Sequence, residues 1–176
     1  LSYPLDLGLI DGERYFADAF TIGFDANVLK DRNSNRDKRF IFKKGIESYV
    51  PSIAKELLLY KKIKANINID GRNMDTKIYN LVIKNTRIYA GSFVLNEKII
   101  ARDGKLDVFL FKKGMDYWSE LGTQIAKQIS DFTDPTGISK DVIKIVKNFE
   151  DHQTKSTEIQ LSETIATQLD GEEYKK

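Results

Sequence analysis

Residues 63–84 read IKANINIDGRNMDTKIYNLVIK. Ile63, Ala65, Ile67 and Ile69 alternate with Lys64, Asn66, Asn68 and Asp70, the period of a strand with one buried and one wet face. Asp70-Gly71 is a turn dipeptide, and it leads into Lys77–Lys84 (KIYNLVIK), a second strand that is apolar on both faces. A β-hairpin at the middle of the chain argues for antiparallel sheets, most simply a sandwich.

Working outward, the segment before the hairpin has a helical period. Ile46, Tyr49, Val50, Ile53, Ala54, Leu57 and Leu58 recur at three- and four-residue spacing, which predicts an amphipathic helix packed by that stripe into the core. Pro51 must kink that helix or start a second one. Further upstream, Asp11-Gly12 signals a turn, and Arg14–Gly23 is aromatic and β-branched enough for a strand. IGFDANV (22–28) passes through Gly23 into a short helix. LKDRNSNRDKR follows, with Lys30, Arg32, Arg36, Lys38 and Arg39 against Asp31 and Asp37. It reads as a polar, basic loop, either simply solvated or in contact with anionic lipid or phosphate.

Downstream, 85–95 is a strand or loop-strand broken at Ala90-Gly91-Ser92, and 99–111 is an Asp-Gly turn opening an apolar strand. Asp116 is a plausible N-cap for a helix over about 116–131, with Trp118, Leu121, Ile125 and Ile129 as its stripe. Val142–Val146 favours a strand, and 156–161 and 164–169 alternate as strands. The expected fold is strand-dominated α+β: a two-layer antiparallel β-sandwich with two or three inserted helices, near 40–58 and 116–131.

Composition sets limits. The 176 residues suit one domain, with a net charge of +2, too small to imply nucleic acid. There is no cysteine, so neither a disulfide framework nor a thiolate site exists. No apolar run approaches the roughly 20 residues of a membrane span. His152, in the polar run EDHQTKS, reads as an exposed loop residue. The start, Leu-Ser-Tyr-Pro, is not a signal peptide, and the chain reads as a domain cut from a longer one. GxGxxG, Walker and HExxH patterns are missing from the sequence.

Near the end stands QLDGE (168–172). If extended, it projects Asp170 and Glu172 from one face of a strand. Two carboxylates so close would either raise one pKa or attract a cation. The other reading is a charged hairpin turn.

Four stretches in order, IGFDANV (22–28), NTRIYAGSF (85–93), ARDGKLDVFLF (101–111) and QLDGE, together resemble the C-terminal domain of the diacylglycerol kinase and sphingosine kinase superfamily, particularly its soluble bacterial lipid kinases. The resemblance spans essentially all of 1–176. It implies a β-sandwich that supplies the lipid site of a two-domain, ATP-dependent kinase. The nucleotide motif would lie in an N-terminal domain that this sequence does not contain, so the fragment alone should be inactive. It also implies a structural magnesium at the 100–105 turn, held by the Asp103 carboxylate and the carbonyls of Ile100 and Lys105. The catalytic carboxylate falls on Glu172, with Asp170 beside it to place metal or water. The expected acceptor is diacylglycerol or a related lipid alcohol. The expected location is cytoplasmic, at the inner face of the membrane, with Arg36, Lys38 and Arg39 touching anionic lipid and a homodimer allowed. The rival reading is a non-catalytic β-sandwich that binds a small amphiphile or a protein partner.

Three stretches depart from the family pattern. Where Asn-Gly is usual, Asn85 precedes Thr86, and Ala90-Gly91-Ser92 replaces a run of three glycines. Where Phe-x-Asn is common, this chain has Phe16-Ala17-Asp18.

Overall fold

A computed structural model describes residues 4–35, 46–89, 93–122 and 149–174. The elements are β1 (Gly8–Ile10), β2 (Arg14–Phe16), β3 (Ala19–Gly23), α1 (Phe24–Asn35), a 3-10 turn (Ile46–Tyr49), α2 (Val50–Leu59), β4 (Ile63–Ile69), β5 (Arg72–Ile78), β6 (Asn80–Lys84), β7 (Ile88–Tyr89), β8 (Phe93–Val94) and β9 (Leu106–Phe111). A helix, α3, occupies 114–122. It is followed by β10 (Glu150–Thr154), β11 (Thr157–Leu161), β12 (Thr167–Leu169) and β13 (Glu172–Tyr174).

The strands form a six-stranded antiparallel sheet in the order β10-β9-β6-β3-β12-β13 and a three-stranded sheet in the order β11-β4-β5. Ile67 and Ile69 of β4, with Ile78 of β5, pack against Phe20, Ile22, Leu81, Ile83, Val108 and Leu110 of the larger sheet. This is the sandwich core. The alternate residues of β6 and β9, Val82, Phe109 and Phe111, face the other way into a more aromatic cluster with Phe24, Tyr79, Tyr89, Tyr117 and Phe149. Both strands are therefore buried on both faces, which is why they read as nearly unbroken apolar runs.

The hairpin is tighter than its sequence suggests. β5 begins at Arg72, immediately after the Asp70-Gly71 turn, and Ile69 pairs with Arg72. KIYNLVIK is not one strand. Lys77 and Ile78 end β5 in the small sheet, whereas Asn80–Lys84 is β6 in the large one. The chain changes layers at Tyr79, whose N–H donates to the Phe111 carbonyl at 2.8 Å and whose carbonyl accepts the Phe24 N–H at 3.1 Å. These bonds satisfy the backbone where the ladder breaks.

The start of α1 explains Gly23. Its φ is 117°, and a Cβ there would lie 2.6 Å from the Tyr79 carbonyl oxygen. Next, the half-buried Asp25 accepts from Tyr117 Oη at 2.5 Å and Asn80 Nδ2 at 2.6 Å. Burial pushes its pKa up to about 6, against the lowering effect of those two bonds.

Several sequence expectations need correction. Arg14–Gly23 is two strands divided at Ala17-Asp18. Lys30–Asn35 is helical, because α1 runs for 12 residues, rather than loop. Buried Asp31 anchors that helix to α2 through Ser52 Oγ at 2.8 Å and through Lys55. Pro51 starts α2 from its first turn and does not kink a longer helix. Asp116 lies inside α3 and is not its cap. His152 belongs to β10, half-buried. The predicted apolar stripe is divided: Tyr49 and Ile53 pack against the aromatic cluster, whereas Val50, Ala54, Leu57 and Leu58 are exposed. The expected strand at 142–146, the residues 90–92 and most of the predicted 116–131 helix lie outside the described residues.

Candidate functional site

Leu169 of β12 pairs with Glu172 of β13, so Asp170-Gly171 is a two-residue turn. Its φ values, 48° and 85°, are both positive, as the favoured hairpin turn requires. The extended reading of QLDGE is thereby overturned, and the hairpin reading holds. Asp170 does not sit beside Glu172 on a strand face. Its carboxylate turns back to the β2–β3 junction and accepts the N–H groups of Ala17 at 2.9 Å, Asp18 at 2.8 Å and Ala19 at 2.9 Å. Its own N–H donates to the Ala19 carbonyl at 2.8 Å. Partial burial pushes the Asp170 pKa up, but the N–H bonds from Ala17, Ala19 and Asp18 and the charge of Lys84 outweigh it, leaving the pKa below the usual carboxylate range. Asp170 is a clamp, and its pKa is lowered where a pair of close carboxylates would raise one.

Glu172 and Glu173 alternate across β13. Glu172 is exposed. Glu173 is half-buried and accepts from Asn33 Nδ2 of α1 at 2.9 Å, which ties the edge of the sheet to the helix.

The end of β6 joins the same corner. Lys84 is fully buried; its ammonium donates to Asp18 Oδ1 and to the Ile88 carbonyl, the latter at 2.6 Å. Burial lowers its pKa, while the hydrogen bond to Asp18 and the charges of Asp18 and Asp170 raise it. Thr86 Oγ1 also donates to Asp18 Oδ1. Thus Asp18 and Thr86, which both depart from the pattern of the resembled family, are hydrogen-bonded to each other, with Lys84 as counter-charge. Asn85 Nδ2 donates to the carbonyls of Asp6 at 2.5 Å and Ala17 at 3.0 Å, binding the leading segment to this corner.

At the 100–105 turn, Asp103 is exposed and its Oδ1 accepts the Lys105 N–H at 3.1 Å. The Gly104 N–H donates to Asp6 Oδ2 at 2.7 Å, and the Asp6 N–H donates to the Ala101 carbonyl at 2.9 Å. Asp6 is therefore a second carboxylate on this turn, contributed from about a hundred residues away, and nothing in its local sequence announced it. Asp107 is buried and its Oδ1 has no hydrogen-bond partner. Its pKa is pushed up to about 6 by burial first and then by Asp151. Among the described residues no cluster of three or more His, Cys, Asp or Glu side chains is poised to hold a metal. The turn instead offers the Asp103 and Asp6 carboxylates, each accepting a main-chain N–H, and Asp107 with its orphaned oxygen follows in β9. That donor chemistry suits a hard cation such as magnesium or calcium.

A cleft of about 870 Å³ opens between the two sheets, walled by Phe16, Phe20, Ile22, Ile159, Leu161 and Ile165. Its charged rim includes Asp6, Lys30, Lys105, Lys155 and Glu173. Asp6 and Lys105 bring the metal-binding candidate turn to this rim. Glu172 is not among the residues that line the cleft. Arg36, Lys38 and Arg39 lie outside the described residues. No described helix is long and apolar enough to cross a membrane.

The fold is similar to solved structures. One, a protein from Bacillus anthracis str. Sterne assigned as a diacylglycerol kinase, superposes with a TM-score of 0.61 at 17% identity, covering 97% of this chain and 49% of its own. A second diacylglycerol kinase structure from the same organism gives a TM-score of 0.57 at 18% identity, again over 97% of this chain and 49% of the other. This chain thus spans about half the length of these proteins. A search of curated protein sequences found no match. The match to a family, over residues 19–176, covers both packed sheets and the turns at 70–71, 100–105 and 170–171. On that match this chain belongs to the YegS C-terminal NAD kinase β-sandwich-like domain family.

Proposed function

We propose that this chain is the lipid-binding half of an ATP-dependent kinase that phosphorylates the hydroxyl of diacylglycerol or a related lipid alcohol. The observation that carries the reading is the apolar-walled cleft between the sheets, rimmed by cationic and carboxylate side chains, next to a clamped turn that bears Glu172. Its apolar walls suit acyl chains, and its polar rim suits a glycerol headgroup. Nucleotide would be held by the partner half of a longer chain, beneath membrane lipid at the cytoplasmic face.

In this reading the substrate hydroxyl oxygen attacks the γ-phosphorus of ATP, its proton passes to the Glu172 carboxylate, and ADP departs. Positioning and charge supply most of the acceleration in such transfers. Asp170 acts by fixing the turn that presents Glu172, a positioning part in place of the metal-placing one first expected. Asp103, with the carbonyls of Ile100 and Lys105 and with Asp6 close by, would hold a structural magnesium. Such an ion supplies positive charge that ties the turn to the leading segment. Arg36, Lys38 and Arg39 would add electrostatic attraction to anionic lipid.

The test is a phosphorylation assay on the complete two-domain enzyme with ATP and diacylglycerols of different chain length. Ile165→Trp, which narrows the cleft, should raise KM for long-chain diacylglycerol more than for short-chain. Lipid binding that needs the cleft, combined with no ATP-dependent phosphorylation of any lipid alcohol, would favour a carrier of amphiphiles instead.

A further inference from the structure

Helix α2 leaves much of its apolar surface outward. Val50 is 55% exposed, Leu57 51%, Leu58 86% and Leu59 63%. The inward side is held by other means. Ser52 and Lys55 reach Asp31 of α1, and Tyr49, Ile53 and Tyr60 lean on the aromatic cluster. The helix therefore needs none of its leucines for docking. Large apolar side chains exposed together around the last turn of a helix mark an interaction surface.

Charge identifies the occupant. Residues 50–69 hold four lysines (Lys55, Lys61, Lys62 and Lys64) and a single acidic residue, Glu56. Lys61, Lys62 and Lys64 are exposed directly after the three leucines, whereas Glu56 is half-buried. A second copy meeting this face about a two-fold axis would bring these lysines against their own equivalents, and like charges so placed repel. An anionic surface matches both features. Leucines enter the boundary between headgroups and acyl chains, and flexible lysines reach the phosphates.

We propose that α2 is a membrane-docking element: Leu57, Leu58 and Leu59 insert into the interfacial layer of an anionic bilayer, and Lys61, Lys62 and Lys64 pair with its lipid phosphates. This deepens the lipid-kinase reading and rests on it for the biological surface, but the docking is measurable without catalysis. Apolar insertion and electrostatic attraction are two signals that together hold a peripheral protein where either alone is marginal.

The experiment is co-sedimentation of the 176-residue chain with vesicles of phosphatidylcholine alone and of equal parts phosphatidylcholine and phosphatidylglycerol. The mixed vesicles should bind it, and added salt should weaken the binding. Leu58→Glu, at a solvent-facing position that cannot disturb the core, should cut the partition coefficient by about tenfold or more. Lys61→Glu with Lys62→Glu should abolish the preference for phosphatidylglycerol while the thermal melt stays unchanged. Equal binding by wild type and both variants overturns the proposal. So does a wild-type chain that ignores vesicles yet forms a dimer by light scattering that Leu58→Glu dissociates; the face then belongs to a second copy. In the complete enzyme, Leu58→Glu should spare turnover of a water-soluble short-chain diacylglycerol and lose it on vesicles. If no lipid alcohol is phosphorylated while vesicle binding still follows the variants, the kinase reading fails and the docking element stands.

Discussion

Two turns in this molecule share a dipeptide and a backbone. Asp70-Gly71 joins β4 to β5 with φ values of 48° and 86°, and Asp170-Gly171 joins β12 to β13 with 48° and 85°. Their side chains do different work. Asp70 accepts from Thr154 Oγ1 at 2.7 Å, linking its hairpin to the neighbouring β10–β11 connection. Asp170 gathers three successive N–H groups from 17–19 and so fastens the last hairpin to the sheet centre. After the turn comes Arg72 in one case and Glu172 in the other. A turn dipeptide specifies a reversal, and what lies across from it decides whether the reversal becomes a clamp.

The sharpest way to break the comparison is at the residue after each turn. In the complete enzyme, Glu172→Gln should lower kcat by ~10²–10⁴-fold with the melt unchanged, since the amide keeps the shape but cannot accept the proton. Arg72→Gln should leave kcat alone. Glu173→Gln should also leave it near normal, because its carboxylate is committed to Asn33. If Glu173→Gln is the damaging change, the cleft-lining neighbour is the true acceptor, and steady-state kinetics on the three variants decides.

Next in size is the clamp. Asp170→Ala should cost about 2 kcal/mol, discounted for partial exposure, as three N–H groups lose a charged acceptor; Asp70→Ala should shift the melt much less. The difference should depend on pH. A carboxylate with a lowered folded pKa stabilises above its unfolded pKa, near 3.8 here, and that contribution disappears as pH falls through the lower folded value. Melts of wild type and Asp170→Asn should therefore be furthest apart at neutral pH and converge once pH has fallen through that lower folded value.

A metal test comes third. If the 100–105 turn holds magnesium, millimolar magnesium should raise the wild-type Tm by a few degrees, an increment of RT ln(1 + [L]/Kd), and Asp103→Asn should remove the rise. Asp75→Asn, on β5, should keep it.

The smallest effect should be an equality. Gly71→Ala and Gly171→Ala each force a side chain into positive φ, with no atom within 4 Å of the added Cβ at either position. Both should cost about 1 kcal/mol. Unequal costs would mean that the backbones differ.

How much of this could be read from the chain follows from where each signal resides. The alternation of 63–69 needed only local side chains, and β4 is where it was expected. The break inside KIYNLVIK was invisible because Tyr79 and Asn80 are not breakers; the layer change depends on bonds to Phe111 and Phe24. The periodicity of α2 correctly revealed an amphipathic helix, but a period cannot say which side meets water. In QLDGE the turn was legible from Asp-Gly. The partners of Asp170, more than 150 residues earlier, were not. Asp6 was missed at the 100–105 turn for the same reason.

That long separation has a kinetic consequence. β3 meets β6 through contacts about 60 residues apart, but its other edge stays unpaired until Thr167–Leu169 exists to cover it. Non-local pairings of this kind form slowly, since a long loop must close before any contact rewards it. During synthesis β3 would present a bare row of unpaired backbone groups until residues 167–169 emerge, and such edges recruit other chains. The finished edge, β13, is only three residues long and begins with two glutamates, too short and too charged to recruit another strand. The Asp170 clamp is thus also the closing step of assembly, and a nascent chain halted before residue 167 should aggregate where the finished one does not.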